Sequence, residues 1–524
     1  MSFINIVNLT FGYEGNSDNV FEDVSFRMDT NWRLGFTGRN GRGKTTFMRL
    51  LIDQIRKPAE RKYEYEGTIS ASGVQFEYFP YDVGSMAEIG DRYTYEIAEQ
   101  ILPDCMEPQE IWKLFREMSL LEVEEEVLYR PYSTLSFGER TKVMLALLFL
   151  KENSFLLIDE PTNHLDIHAR EILGEYLKKK SGYILVSHDR RLLDTAVDHI
   201  LAINKTNIEV QQGNFSSWWE NKQRQDAHEL AENDRLRKDI GRLKQAAKQA
   251  GNWADKAESS KIGHRKEAKN GTINDMAERS YIGEKSRRMQ QQRKNLENRQ
   301  ERAIEEKSGL LKNLETMEDL KLFPMEYRTE RLAEFDDVGI FYGEKQAAVN
   351  VNFEICRGDR IALAGRNGCG KSSILKLLLG MKDGSAVESG NMTHIGRLHL
   401  GSQLIISYVP QDASGLRGTI NDYAEANGID AQLLNMLLRK LDFSRAQLEK
   451  NMEDFSEGQK KKVLLAASLV TKAHLYIWDE PLNYIDVFSR MQIEELILKY
   501  QPTLLFVEHD REFTEKIATK TVTM

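Results

Sequence analysis

Groups suited to handling phosphate occur twice in this chain, in the same order. Gly38-Arg39-Asn40-Gly41-Arg42-Gly43-Lys44-Thr45 and Gly365-Arg366-Asn367-Gly368-Cys369-Gly370-Lys371-Ser372 both have the form GxxxxGK[ST]. The glycines let successive backbone N–H groups turn inward onto phosphate oxygens. The lysine bridges the outer phosphates of a nucleotide such as ATP, and the hydroxyl of Thr45 or Ser372 holds Mg²⁺. Each loop leaves a strand-like run and enters a helix-like one. Thr46 and Ser373 therefore open a helix whose positive end faces the phosphates.

Downstream of each loop an apolar run ends in two carboxylates, at Asp159-Glu160 and Asp479-Glu480. Such a run fits a strand buried on both faces, and ligands of open α/β sheets bind beyond the carboxyl ends of the strands. There the aspartate can reach the Mg²⁺ shell and the glutamate can take a proton from attacking water. A lone Asp-Glu pair would more simply be a solvated strand end. Its place in a repeated order argues for chemistry, and the same order raises His188 and His509, each just past a strand-like run. Ser136 and Gly138 (in LSFGE) and Ser456 and Gly458 (in FSEGQ) would alone read as helix N-caps. Tyr408-Val409-Pro410-Gln411 in the second half corresponds to Tyr78-Phe79-Pro80-Tyr81 in the first, with a glutamine in one copy where the other has a tyrosine.

The elements that must hold these groups define an α/β fold: two tandem P-loop domains, at 1–214 and 331–524, joined by a long α-helical hairpin at 215–330. In the linker Leu236, Ile240, Leu243, Ala247 and Ala250 form one helical stripe, and Leu310, Leu311, Leu314 and Met317 a second. Glycines between them, with Asn270-Gly271 the strongest turn signal, place a tip near 255–282. Residues 235–302 hold 19 Lys and Arg against 9 Asp and Glu, in a chain whose net charge is −9. The flanks of the linker suit a solvated coiled coil. The cationic centre (Lys261, His264, Arg265, Lys266, Lys269, Lys285, Arg287, Arg288) suits a phosphate backbone or an acidic protein surface.

A chain of 524 residues, 41% apolar and 29% charged, has the composition of a soluble multidomain protein. No apolar run approaches the length of a membrane span. Three unpatterned cysteines suggest reduced thiols and a cytoplasmic setting.

The succession of P-loop, LSFGE, DEPTNHLD and SHD resembles an ATP-binding cassette (ABC) nucleotide-binding domain, and the second half repeats it. The resemblance implies that Tyr13 and Tyr342 stack on adenine. It implies that Thr45 with Asp159, and Ser372 with Gln411 and Asp479, surround Mg²⁺, that Glu160 and Glu480 are general bases, and that His188 and His509 are switch histidines. Cassettes of this kind close head to tail. ATP on Lys44 would be completed by Ser456 and Gly458, and ATP on Lys371 by Ser136 and Gly138. Phe137 departs from the small residue expected in the signature, and Tyr81 from the expected glutamine.

Tandem cassettes, no membrane domain and a charged helical linker together resemble the ABC-F proteins over essentially the whole chain. That resemblance implies an ATPase acting as a monomer on the 70S ribosome, with the linker reaching 23S rRNA, P-site tRNA and the peptidyl-transferase centre. The glycine-containing tip, the scant space for an arm, NFSSWWENK and residues 280–314 are similar to the antibiotic-resistance members. Lincosamides, pleuromutilins and streptogramin A compounds are the drugs that subgroup implies. A housekeeping translation factor of the same family, the ATPase subunit of a transporter and a DNA-handling cassette protein are the alternatives. A subunit driving a membrane partner has no use for a long basic hairpin.

Overall fold

A computed structural model describes residues 3–13, 19–55, 62–71, 73–163, 165–203, 208–267, 320–366, 368–382 and 392–524. Two compact units result. One is Met1–Trp218 together with Met317–Met524, and the other is Trp219–Thr316.

The first unit holds both cassettes, each made of two sheets. In the first cassette the strands are β1 (Phe3–Phe11), β2 (Phe21–Asp29), β3 (Arg33–Thr37), β4 (Glu66–Ala71), β5 (Gln75–Phe79), β6 (Ser154–Asp159), β7 (Tyr183–Val186), β8 (His199–Ile203) and β9 (Ile208–Gln212). A small antiparallel sheet has the order β2-β1-β4. The central sheet has the order β5-β6-β7-β3-β8-β9, parallel except for β9. The second cassette contributes β10 (Arg331–Tyr342), β11 (Lys345–Cys356), β12 (Arg360–Ala364), β13 (Met392–Leu400), β14 (Ile406–Val409), β15 (Leu475–Asp479), β16 (Leu504–Val507) and β17 (Lys520–Thr523). Its sheets run β11-β10-β13 and β14-β15-β16-β12-β17, the same orders by homologous position except that among the described residues β9 has no counterpart.

Sequence pattern explains this layering. β7, β15 and β16 are buried at every residue, as expected of inner parallel strands covered on both faces. Each Val, Leu, Ile or Phe buried there contributes about 1.5–3 kcal/mol. The result for function is positional. β3 and β12 deliver the P-loops to the carboxyl edge of the sheet, and β6 and β15, one strand removed across β7 and β16, deliver the carboxylate pairs to the same edge.

The linker begins as one helix, Phe215–Glu267, of 53 residues, about 80 Å at 1.5 Å per residue. Its first turn is anchored in the first unit. Phe215 and Trp218 are buried, and the Trp218 ring meets Phe488 edge-on at 6.3 Å. The helix continues through Gly251 and Gly263 into the stretch read as tip. Single glycines among good helix formers cost about 1 kcal/mol each, too little to end a helix. Lys261, His264, Arg265 and Lys266 lie on its last turns. The second stripe, the return limb, Lys269, Lys285, Arg287 and Arg288 lie outside the described residues. Leu320, Leu322 and Tyr327, within the stretch read as linker, are buried in the cores of the second cassette. None of the described helices is long and apolar enough to cross a membrane.

Candidate active sites

The P-loop at Lys44 joins β3 to the helix Lys44–Ile55. Gly43 has φ +89°, and a Cβ there would lie 2.5 Å from Val20, so only glycine fits. Gly370 repeats the constraint, since its Cβ would stand 2.4 Å from the Ala347 carbonyl oxygen. Lys44 Nζ donates to the carbonyls of Gly38 (2.6 Å) and Arg39 (3.1 Å). Lys371 Nζ donates to those of Gly365 (2.8 Å) and Arg366 (2.9 Å). Each ammonium is thus curled over its own loop, where the phosphates of a nucleotide would sit. Asn367 lies outside the described residues.

The next residue of each loop meets the strand-end aspartate. Thr45 Oγ1 donates to Asp159 Oδ2 at 3.0 Å, and Ser372 Oγ to Asp479 Oδ1 at 3.2 Å. A hydroxyl beside a carboxylate is a donor set suited to a hard, octahedral cation. Tyr13 Oη pairs with Thr46 Oγ1 at 2.8 Å, and Tyr342 Oη with Ser373 Oγ at 3.3 Å. Both tyrosines therefore stand beside the starts of the P-loop helices, where a base would follow its phosphates.

Tyr81, at the position of the expected glutamine, is not at the Asp159 carboxylate. Lys151 Nζ lies 5.1 Å from its ring centre, and the same lysine pairs with Glu77 at 3.0 Å. The phenol that reaches the carboxylate is Tyr78, which donates to Asp159 Oδ2 at 2.9 Å. Burial and the Asp159 charge push that phenol up. Its repeat, Tyr408, is pushed up to about 12 by burial and by Asp479. The signal was available in sequence: Tyr-x-Pro occurs in both copies, and the tyrosine is the shared residue.

The two glutamates adopt the same left-handed backbone, with φ +49° at Glu160 and +47° at Glu480. Their electrostatics differ. Burial, then the neighbouring Asp159 charge, raises Glu160 to about 8. Its Oε1 is buried and accepts no well-formed hydrogen bond, with His188 Nε2 3.3 Å away. Burial, then the positive charges of Lys44 and Arg490, holds His188 well below the usual imidazole value. At Glu480 burial acts upward, but hydrogen bonds from His509, Gln411 and Asn483 outweigh it and bring the carboxyl to about 2. Asn483 Nδ2 donates at 2.7 Å.

Both sites draw on both cassettes. Asn40 Nδ2, in the first P-loop, donates to the Tyr484 carbonyl of the second cassette at 2.9 Å. Gly458 is beside this contact, with a Cβ position 2.6 Å from the Tyr484 oxygen and 3.2 Å from Asn40 Nδ2. Arg39 pairs with Asp442 at 3.3 Å. Ser456 caps the helix Glu457–Val470, with its Oγ accepting from Gln459. Around Lys371 the cassettes instead enclose a cavity of about 1220 Å³. Ser136, Phe137 and Gly138 line it from one side, and Gly370, Lys371, Ser372, Gln411, Glu480 and His509 from the other. Phe137 is 60% exposed and lies 5.4 Å from the Arg140 guanidinium. Among the described residues no separate cluster of metal-ligating side chains occurs.

The family described as ABC transporter matches residues 21–163 and 348–483, one match per cassette. The chain is 28% identical to the ribosome protection protein VmlR of Bacillus subtilis, covering 98% of this chain and 85% of that protein. It is 26% identical to the ATP-binding protein Uup of Caulobacter vibrioides, covering 96% and 74%. It is 25% identical to ABC transporter F family member 5 of Arabidopsis thaliana, covering 99% and 75%. Among solved structures it resembles the RNase-L inhibitor, with a TM-score of 0.59 at 20% identity, over 98% of this chain and 87% of that one. Since the family match falls on both cassettes and the relatives align across the helix between them, the chain belongs to the ABC family and is an ABC-F ATP-binding protein with two ABC ATPase domains.

Proposed function

We propose that this ATPase is a clamp that works on the ribosome and protects it from antibiotics. ATP bound between the cassettes favours the closed state, hydrolysis releases it, and the linker that joins the cassettes receives the change. The observation that carries the reading is the continuity of parts. The helix Phe215–Glu267 starts on buried Phe215 and Trp218, and Trp218 touches Phe488 of the second cassette. The linker is therefore rooted where the cassettes meet. Its excess of cations over residues 235–302 suits rRNA and P-site tRNA, and the protein VmlR, described as ribosome-protecting, is similar over nearly the whole chain. Lincosamides, pleuromutilins and streptogramin A compounds are the drugs in view.

In this reading the domains are 1–214, 215–330 and 331–524, with Leu320, Leu322 and Tyr327 at the end of the middle segment packed into the second cassette, and the protein acts in the cytoplasm as a monomer. Thr45 with Asp159, and Ser372 with Asp479 and Gln411, hold Mg²⁺, which neutralises phosphate charge when bound. This chain's own residues do the rest. Lys44 and Lys371 leave their loop carbonyls for phosphate oxygens. Glu160 and Glu480 accept a proton from water, and His188 and His509 face them. Ser456 with Gly458, and Ser136 with Gly138, close over the opposite nucleotide.

A housekeeping role on stalled ribosomes is the second reading, favoured by the 24–27% identity to several Uup and related ATP-binding proteins. One experiment tests the shared core. The variant carrying Glu160→Gln and Glu480→Gln, given ATP, should sediment with 70S ribosomes and not with DNA or membrane vesicles. Absence from the ribosome pellet would sink both readings. Growth of a drug-sensitive host expressing the native protein, with each drug class, then separates protection from housekeeping.

A further inference from the structure

The helix Glu457–Val470 begins at Ser456 and Gly458, beside the Asn40 contact of the Lys44 site. One turn along the same helix is Lys461, only 2% exposed. Its Nζ turns away from the Lys44 site and into the core of its own cassette. There it donates to the carbonyl oxygen of Pro410 at 2.9 Å and to that of Glu480 at 3.2 Å. Pro410 immediately precedes Gln411, and Gln411 is hydrogen-bonded to the Glu480 side chain. One ammonium therefore fixes the backbone at both ends of the Gln411–Glu480 contact.

A buried ammonium is costly unless its donors are satisfied, and two backbone carbonyls in fixed positions leave Lys461 little choice of place. Its neighbours on the helix do other work. Lys460 pairs with Glu457, and Lys462 pairs with buried Asp486. The first cassette has Thr141 at the position of Lys461 and Tyr81 at the position of Gln411. A threonine side chain stops several bonds short of the reach of a lysine. The lysine and the glutamine thus occur together in one cassette and are both replaced in the other.

We propose that Lys461 is a positioning residue for the Lys371 site. It sets the Gln411–Glu480 geometry and ties it to the helix whose start faces the Lys44 site. Engagement of Ser456 and Gly458 at Lys44 then bears directly on the placement of Glu480, and the reverse path through the first cassette lacks this link. The inference rests on Glu480 as general base.

The test measures ATP turnover of the full-length protein with one site disabled at a time. Glu480→Gln alone comes first: if turnover does not fall, the general-base reading fails. Given a partial fall, with the Glu160 site still turning over, Lys461→Thr is placed in the Glu160→Gln background, where only Glu480 works. The expected result is a fall in kcat of about tenfold to a hundredfold, with KM for ATP within about twofold. In the Glu480→Gln background the same substitution should change kcat by less than about twofold. Equal falls in both backgrounds would assign Lys461 to general packing, and no fall in either would leave Glu480 placed without it. Both outcomes overturn the proposal. Lys461→Met, which keeps the aliphatic stem and loses the donors, gives the same comparison if the threonine variant folds poorly.

Discussion

His188 Nε2 lies 3.3 Å from Glu160 Oε1, inside a pair whose electrostatics are the reverse of its repeat. Glu160 is raised to about 8 while Glu480, 3.4 Å from His509, is lowered to about 2. The linkage signs follow. A raised carboxyl means the folded protein binds the proton more tightly than the unfolded chain, whose value is about 4.3. Between about 4.3 and about 8 Glu160 therefore costs increasing stability as pH rises. The Glu480 contribution is complete above the unfolded value and is lost only as pH falls toward about 2. In metal- and nucleotide-free protein, Glu160→Gln should raise Tm relative to the parent by an amount that grows from about pH 5 to pH 8, reaching a few degrees. The Tm difference for Glu480→Gln should stay flat over that window. Scanning calorimetry at several pH values decides it, and a flat profile for Glu160→Gln refutes the assignment.

Tyr78 and Tyr81 separate by function. Tyr78→Phe removes the hydrogen bond to Asp159 at a cost of about 1 kcal/mol and frees the carboxylate from its neutral donor. With Glu480→Gln leaving only the first site active, Tyr78→Phe should shift the Mg²⁺ concentration for half-maximal turnover by about threefold or more. Tyr81→Phe should not shift it, because that ring rests on Lys151. A shift produced by Tyr81→Phe alone would reverse the two roles.

The contrast between these tyrosines shows where sequence carries structure and where it stops. The P-loops, the strand-end carboxylates and the trailing histidines are local patterns, set by backbone geometry that a few neighbouring residues determine. They were legible residue by residue, whereas the strand order of the sheets came only from the structure. Tyr78 was obscured because it sits on β5 while Tyr81 lies beyond the strand's end, and the family pattern directs attention to the residue after Pro80. Lys461 was obscured because Lys460-Lys461-Lys462 reads as a solvated helix face. Only tertiary packing reveals that two of its three lysines are buried. Glycines at 251 and 263 suggested a turn, whereas the surrounding helix formers carry the helix through them.

Gly458 and Gly138 are repeats of one position with different surroundings. A Cβ on Gly458 would stand 2.6 Å from the Tyr484 carbonyl oxygen, a backbone atom that cannot step aside. A Cβ on Gly138 would meet Leu165 at 3.4 Å, an ordinary contact. Gly458→Ala should therefore break the Asn40–Tyr484 contact and lower overall turnover by about tenfold or more, with a destabilisation of about 1–3 kcal/mol. Gly138→Ala should fold normally, with Tm close to the parent. Equal Tm losses in the two variants would show that the cassettes are not held as described.

Arg190 and Glu494 form an ion pair across the cassettes, with the carboxylate fully buried and also bonded by Lys516 at 2.9 Å. On the other side of the same junction Arg511 pairs with Glu171, both about half exposed. The first cassette has Gly174 at the position of Glu494, and a cavity of about 420 Å³ borders that glycine. Removing one member of a buried pair strands the other, at a cost of about 3–5 kcal/mol, whereas replacing both by apolar residues recovers most of it. Glu494→Ala should thus lower Tm sharply, while Arg190→Met with Glu494→Leu should approach the parent. Glu171→Ala should have little effect, since exposed pairs contribute little. If Glu171→Ala and Glu494→Ala were equally damaging, the junction would be held alike on both sides. If only Glu494→Ala is damaging, the cassettes part more readily where Arg511 meets Glu171.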